Sequence, residues 1–386
     1  MYFIGILSII LFFLVVEKML HESRLRRIPI RIHVNGTRGK TSVTRLIAGA
    51  LRNAGIKTLA KTTGERPMLI YPDGHEEVIP RRGPSRIQEK IRFIKKAAKM
   101  NAEAVVVECM AIDPHLQFVS ETKMIKSTIG VLTNVRPDHL EVMGKNLDDV
   151  ADSLSQTIPK DAVLVTADQK YFGYFESQAA EKNTKAYLVR ETDPGSQQDS
   201  KEVLTLKENL LIANKVCSLL NVTPSFTHNG LTNSVTDEGC WNTVEIKNGR
   251  KKIYFIDAFS TNDVESTKIV QQIALNKRYC PRPFVALLNN RTDRPLRMLS
   301  FVTFISSAPT YDYVMLIGDY RKMAKRCIHR EGKRGNIFIL RSRDPEGLID
   351  EICQQISSPE FTVVGMGNFK GLGGELSRCL PLRGQN

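Results

Sequence analysis

The stretch "HVNGTRGKTSVTRL", residues 33–46, decides how this chain is read. It contains the Gly39-Lys40-Thr41 of a phosphate-binding loop, yet Val34 stands five residues before Gly39, where the common pattern has glycine. The β-branched run "PIRIHV" precedes it and the helical pattern "KTSVTRLIAGALRNAG" follows, so the loop joins a strand to a helix. Gly36 and Gly39 allow backbone amides to close on a phosphate at the helix N-terminus. Lys40 brings a point charge to the outer phosphates, and Thr41 or Ser42 a hydroxyl for Mg²⁺. A turn that is merely rich in glycine is the plainer alternative; Lys-Thr-Ser in register favours phosphate.

Working outward, "AVVVE", "STIGVLTNV" and "AVLVT" read as further strands separated by helical patterns, which predicts a parallel sheet covered by helices. Their nearly unbroken apolar character fits strands buried on both faces. Glu108 follows one strand, and Asn134, Asp138 and His139 follow another. Ligands of open α/β sheets bind beyond the carboxyl ends of strands, so these groups can share a crevice with Lys40 as a metal-nucleotide site. A surface carboxylate or a capping pair is the alternative for each alone. After the polar stretch 190–202, the helical "ENLLIANKVCSLLNV" and the linker-like 223–242, a second strand-helix alternation begins at "KIYFIDAF". The expected organisation is an anchor and basic linker over 1–27, a nucleotide-binding domain over 28–228 and a smaller, Rossmann-like α/β domain over 229–386.

The chain has 386 residues and a net charge of +14, but residues 1–100 hold 20 Lys/Arg against 7 Asp/Glu and the remainder 35 against 34. That local excess suits an anionic partner, or is solvated surface charge; nothing resembles a nucleic-acid module, so nucleic acid is not expected. Seven scattered cysteines without metal-ligand spacing read as free thiols in a reducing compartment. Residues 2–16, "YFIGILSIILFFLVV", form an uncharged apolar run followed by Arg24, Arg26 and Arg27. This predicts a single-pass anchor in the cytoplasmic membrane with the catalytic part in the cytoplasm; a buried helix is the alternative.

"NGTRGKTS" (35–42) resembles the loop of Mur-type amide ligases, and "VVVECMAIDP" with Glu108 and "TNVRPDHLEVMG" with Asn134, Asp138 and His139 resemble the two later Mg²⁺ motifs of that family. "AKTTGE" (60–65), "ECMAIDP" (108–114), "DHLEVMG" (138–144), "NNRTDR" (289–294) and "GMGNFKG" (365–371) resemble, more closely, the ligase subunits of capsular poly-γ-glutamate synthases. The resemblance implies an ATP- and Mg²⁺-dependent enzyme that adds glutamate to growing poly-γ-glutamate through an acyl phosphate, releasing ADP, beside integral-membrane partner subunits. A homo-oligomer stays open.

By the same resemblance Gly36, Thr37, Arg38, Gly39, Lys40, Thr41 and Ser42 form the ATP loop, with Thr41, Glu108 and His139 serving the metal. Lys40, Glu108 and His139 are the catalytic set. Asn209 matches an asparagine near adenine and Asp257 an aspartate near ribose, for which a strand-end cap is the alternative. Asn242 stands where the family has an arginine, which leaves Arg291 or Arg294 as cation and substrate contacts. The lysine that many Mur ligases carbamylate is absent from 146–159; Asp148, Asp149 or Asp152 could replace it, or form a solvated acidic face. A basic surface around Arg81, Arg82, Arg86, Lys95 and Lys96 could hold the polyanion, or be the polar face of an amphipathic helix. A membrane-tethered nucleotide switch or transport ATPase is the rival class, though it leaves Glu108 and His139 without a task. A folate-type or cell-wall amide ligase is another.

Overall fold

The computed structural model describes residues 2–63, 67–80, 86–137, 139–190, 207–222, 242–261, 263–277, 279–308 and 310–383. The chain forms two compact units, Met1–Val235 and Thr236–Asn386. The first contains α1 (Tyr2–Arg26), β1 (Ile30–Asn35), α2 (Lys40–Asn53), β2 (Thr58–Lys61), β3 (Met68–Ile70), β4 (Glu76–Val78), α3 (Glu89–Lys99), β5 (Ala104–Glu108) and α4 (Pro114–Val119). A π-helical turn (Ser120–Ile125) then leads to β6 (Ile129–Leu132), α5 (Leu140–Met143), α6 (Leu147–Ser155), β7 (Val163–Thr166), α7 (Phe172–Glu181), β8 (Lys185–Leu188) and α8 (Lys207–Leu219).

The sheet order is β4-β3-β2-β5-β1-β6-β7-β8, parallel from β2 through β8 with β3 and β4 antiparallel at one edge. The apolar run in β5 splits by its two-residue period between two cores. Ala104 and Val106 join Ile32, Val34 and the α2 residues Val43, Leu46 and Ile47, while Val105 and Val107 join Phe93 and Ile94 of α3. Each fully buried valine contributes about 1.5–3 kcal/mol relative to exposure. This accounts for an unbroken apolar run where a half-exposed strand would alternate.

The last turns of α1 belong to the second of these cores through Leu25, with Ile28 just beyond the helix, and His21 Nε2 lies 2.9 Å from the Met124 carbonyl. Earlier in α1, Phe3, Ile6, Ile10, Phe13 and Leu14 are all exposed. The expected single-pass membrane helix is not supported: among the described residues no helix is long and apolar enough to cross a membrane. Glu17 and Lys18 end the apolar run, which at about 1.5 Å per residue extends roughly 22 Å against a hydrocarbon thickness of about 30 Å.

The second unit contains β9 (Asn242–Asn248), β10 (Lys251–Asp257), α9 (Val264–Lys277), β11 (Phe284–Asn290), α10 (Pro295–Ser307), β12 (Tyr313–Gly318), α11 (Arg321–Arg330), β13 (Ile337–Ile339), α12 (Pro345–Gln355), β14 (Glu360–Gly367) and α13 (Leu372–Arg383). Its sheet runs β13-β12-β11-β14-β10-β9, with only β9 antiparallel. The expected second α/β unit is present. It opens one strand earlier than "KIYFIDAF", because β9 pairs with β10 as a hairpin edge.

Candidate functional site

Val34 is still inside β1, which runs to Asn35, so the tight part of the loop begins only at Gly36. This explains why a β-branched residue is tolerated where other phosphate loops have glycine. Gly36 has φ +127°, and a Cβ there would lie 2.0 Å from Thr133 Oγ1 and 2.8 Å from the Thr133 backbone nitrogen. Gly39 precedes α2 in the left-handed region, with no side-chain cap and no acidic residue in the first helical turn. The loop thus presents an uncapped helix N-terminus, a natural seat for an anion.

The segment just after β6, the neighbour of β1 in the sheet, holds the loop in shape. Asn134 Oδ1 accepts from Thr37 Oγ1 (2.8 Å) and from the Arg38 backbone N–H (3.0 Å), while Thr133 Oγ1 donates to the Arg38 carbonyl at 2.6 Å. The Arg136 N–H donates to Thr37 Oγ1 at 3.0 Å. Asn35 at the end of β1 donates to Gln117 Oε1 (2.7 Å) and Thr157 Oγ1 (3.0 Å), tying the strand to the layer below. Lys40 Nζ folds over the loop to the Gly36 carbonyl, 2.6 Å away.

Glu108 pairs in register with Val34, one strand over from the loop. Its Oε2 accepts from Thr41 Oγ1 at 3.0 Å and from the Thr63 backbone N–H at 2.6 Å. Two hard oxygen donors therefore meet at the loop mouth, a set that fits Mg²⁺ completed by phosphate oxygens. Thr63, in the "AKTTGE" segment, is a contact that its sequence context did not reveal; Gly64 and Glu65 lie outside the described residues. Asn209, near the start of α8, is 4% exposed, and a Cβ on Gly39 would lie 2.4 Å from its Oδ1, so it sits directly over the loop.

His139 is less closely drawn in. It precedes α5 with φ 46°, and its Nδ1 lies 3.3 Å from Glu141 Oε1. Asp138 lies outside the described residues, as do Arg81 and Arg82, and no cluster of three His, Cys, Asp or Glu side chains suited to a metal occurs among those described. The aspartates offered in place of the absent lysine are engaged elsewhere. Asp149 closes the capping box of α6 with Asn146, Asp148 accepts from Tyr171 and Asp152 from Tyr174, each tyrosine bond 2.7 Å. Asp148 and Asp152 are both exposed, so the solvated acidic face describes them better than metal ligation.

A buried polar chain lies beneath β1 and β5. Glu121 accepts from His33 Nδ1 (2.7 Å) and from Ser127, and Lys90 Nζ lies 2.8 Å from His33 Nε2 and contacts Ser120. Burial lowers the Lys90 pKa, while its charge and that of His33 outweigh burial at Cys109 and bring that thiol down to about 6. Lys90 lies on the apolar stripe of α3 between Ile87 and Ile94, a placement that was visible as a break in the pattern. All six cysteines among the described residues are free thiols.

In the second unit Asp257 ends β10 and accepts from the Phe259 N–H at 3.2 Å; burial raises its pKa to about 6. Arg291 pairs with Asp293 at 2.8 Å, and Arg294 occupies the position just before α10 without a side-chain cap bond. Asn290, the last residue of β11 and the neighbour of Arg291 in the chain, is 1% exposed, and its Oδ1 and Nδ2 have no partner among the described residues. A buried amide left this way is destabilising by about 1–3 kcal/mol per group, unless a ligand presents both a donor and an acceptor.

Comparison with known proteins agrees with both units. Residues 34–212 match the Mur ligase middle domain, and residues 243–381 match the poly-γ-glutamate synthase CapB C-terminal domain. The chain is similar to the capsule biosynthesis protein CapB of Bacillus anthracis, 33% identical over 306 residues that cover 78% of this chain and 66% of that one. It is also similar to the PGA synthase CapB of Bacillus subtilis (strain 168), 28% identical with 94% and 93% covered. Among solved structures, Mycobacterium tuberculosis folylpolyglutamate synthase complexed with ADP aligns with a TM-score of 0.67 at 15% identity, covering 96% and 93%, and so shares the fold. With the loop and strand-end carboxylate of its first unit and the CapB-type second unit, the chain belongs to the Mur-ligase-related family of CapB poly-γ-glutamate synthases.

Proposed function

We infer that this chain is an ATP-dependent amide ligase that joins glutamate units through γ-amide bonds, with ADP and phosphate as products. The observation that carries the reading is the contact of Thr41 and Glu108 at the mouth of an anion-receptive glycine loop. Mg²⁺, when bound, neutralises charge on the transferring phosphoryl group. Thr41 and Glu108 would hold it, and His139 is assigned to the same task by its match to the family motif.

The amides of Gly36 to Ser42 orient the phosphates, and Lys40 exchanges its carbonyl contacts for the outer phosphates. Asn209 borders the nucleotide over Gly39, and Asp257 serves the ribose. Phosphoryl transfer to a glutamyl γ-carboxylate makes an acyl phosphate, and an amine displaces phosphate to form the amide; the loop contributes positioning and electrostatic stabilisation. Asn290 suits the amine-bearing glutamate, since its Oδ1 can accept from the amine and its Nδ2 donate to the α-carboxylate, with Arg291 and Arg294 as neighbouring cations. The exposed apolar segment of α1 supports attachment to the cytoplasmic membrane beside integral-membrane subunits.

The test is ADP release by the full chain with Mg²⁺-ATP and a panel of carboxylate and amine substrates. Release that depends on glutamate, with γ-linked product, supports the reading. AMP and pyrophosphate would replace the acyl-phosphate route by an adenylate, and glutamate-independent hydrolysis would favour the transport or switch class.

A further inference from the structure

The second unit carries a charged surface that the ligase chemistry does not use. Residues 321–335 hold seven Lys/Arg and one acid, Glu331. Helix α11 packs inward through Ala324 and Ile328, which are fully buried. Arg321 and Lys325 turn to the β13 side, donating to the Leu340 carbonyl at 2.6 Å and the Ile337 carbonyl at 2.8 Å. Lys322, Arg326 and Arg330 are left on the opposite face, all exposed. They recur every four residues and so form one stripe along the helix.

This stripe is unfavourable for the helix that bears it. Like charges four apart repel, and cations in the first turn oppose the helix dipole; α11 has no acidic residue in that turn to offset Arg321 and Lys322. The helix starts beside the carboxyl-end crevice of its sheet: Asp319 donates its N–H to the Asn290 carbonyl at 2.9 Å and accepts from the Thr292 N–H at 3.0 Å. The stripe therefore leads away from the loop that carries Asn290 and Arg291.

We propose that Lys322, Arg326 and Arg330 form a docking rail for the α-carboxylates of the growing poly-γ-glutamate chain. The proposal rests on the ligase reading for the identity of the polymer. Positions four apart on a helix are separated by about 6 Å along its axis. An extended γ-linked glutamyl unit has a similar repeat of about 6 Å, the ~3.8 Å of an α-linked unit lengthened by two carbon-carbon bonds. Successive carboxylates can thus meet successive cations, and three weak exposed pairs act together on one polymer. Such a rail keeps the chain near the site between additions.

The experiment measures binding of a fluorescent γ-linked glutamate decamer to the full chain without ATP, at low and raised salt. The triple variant Lys322→Gln/Arg326→Gln/Arg330→Gln should bind roughly tenfold or more weakly, with a flatter salt dependence. The charge-keeping variant Lys322→Arg/Arg326→Lys/Arg330→Lys should bind as the parent does. Both should release ADP normally with di-γ-glutamate, while the triple variant makes shorter polymer. Parent-like decamer binding by the triple variant overturns the proposal, as does no decamer binding by the parent. Loss in the triple variant of binding to phosphatidylglycerol vesicles with decamer binding intact also overturns it, in favour of a lipid surface. A parent chain that binds the decamer through the stripe yet releases no glutamate-dependent ADP leaves the rail standing and refutes the activity reading instead.

Discussion

Replacing Gly39 by alanine tests the geometry of the nucleotide loop in two separable parts. The residue sits at φ +79°, and a Cβ there would lie 2.4 Å from Asn209 Oδ1 and 3.0 Å from Asn209 Nδ2. The left-handed conformation costs alanine about 1–2 kcal/mol. Driving the buried Asn209 amide aside adds about 1–3 kcal/mol, as overpacking does. Gly39→Ala should therefore lose about 2–5 kcal/mol of stability, together with most ATP affinity. Asn209→Ala in the same chain removes the overlap and leaves the backbone conformation untouched. The double variant should recover about 1–3 kcal/mol relative to the sum of the single changes. Denaturant unfolding of the four proteins, with titration of a fluorescent ATP analogue, measures both quantities. A coupling within about 0.5 kcal/mol of zero would refute the placement of Asn209 over the loop.

Asn134→Ala removes the acceptor shared by Thr37 and Arg38 and should destabilise the loop by about 2–4 kcal/mol, read as weaker ATP-analogue binding; unchanged affinity would mean that the clamp is dispensable. Lys90→Met strips one member from the buried Glu121-His33-Lys90 chain and should cost about 3–5 kcal/mol in denaturant unfolding, whereas a neutral result would refute mutual support within the chain. Asp257 keeps its proton up to about pH 6 in the fold against 3.8 ordinarily, so the native state holds the extra proton between those values and its stability falls as pH rises through them. Asp257→Asn should thus be more stable than the parent at pH 7, by up to about 3 kcal/mol, with the gain absent near pH 4; a gain independent of pH would show that the carboxyl titrates normally. Lys40→Ala should abolish glutamate-dependent ADP release while unfolding as the parent does, because among the described residues Nζ bonds only loop carbonyls; retained turnover would remove Lys40 from the mechanism.

Local pattern was enough for much of this protein. The period and apolarity of the strands implied parallel sheets buried on both faces, and the loop's glycines, Lys40 and Thr41 announced an anion site, because these are properties of neighbours in the chain. The same reasoning fell short at the N-terminus, where an apolar run of 15 residues reads as a membrane anchor, and in α6, where acidic spacing left metal ligation and a solvated face both open because it said nothing about Tyr171 and Tyr174, which donate to Asp148 and Asp152. Contacts across long separations depend on strand order. The pairing of β1 with β5 and β6 brings Glu108 to Thr41 and Asn134 to Arg38, and helix packing brings Lys90 of α3 to His33 and lays Asn209 over Gly39. Which of the many basic side chains face outward together was likewise decided by the fold. The charges of α11 are evident in the sequence, but only the burial of Ala324 and Ile328 against the sheet turns Lys322, Arg326 and Arg330 onto one open face.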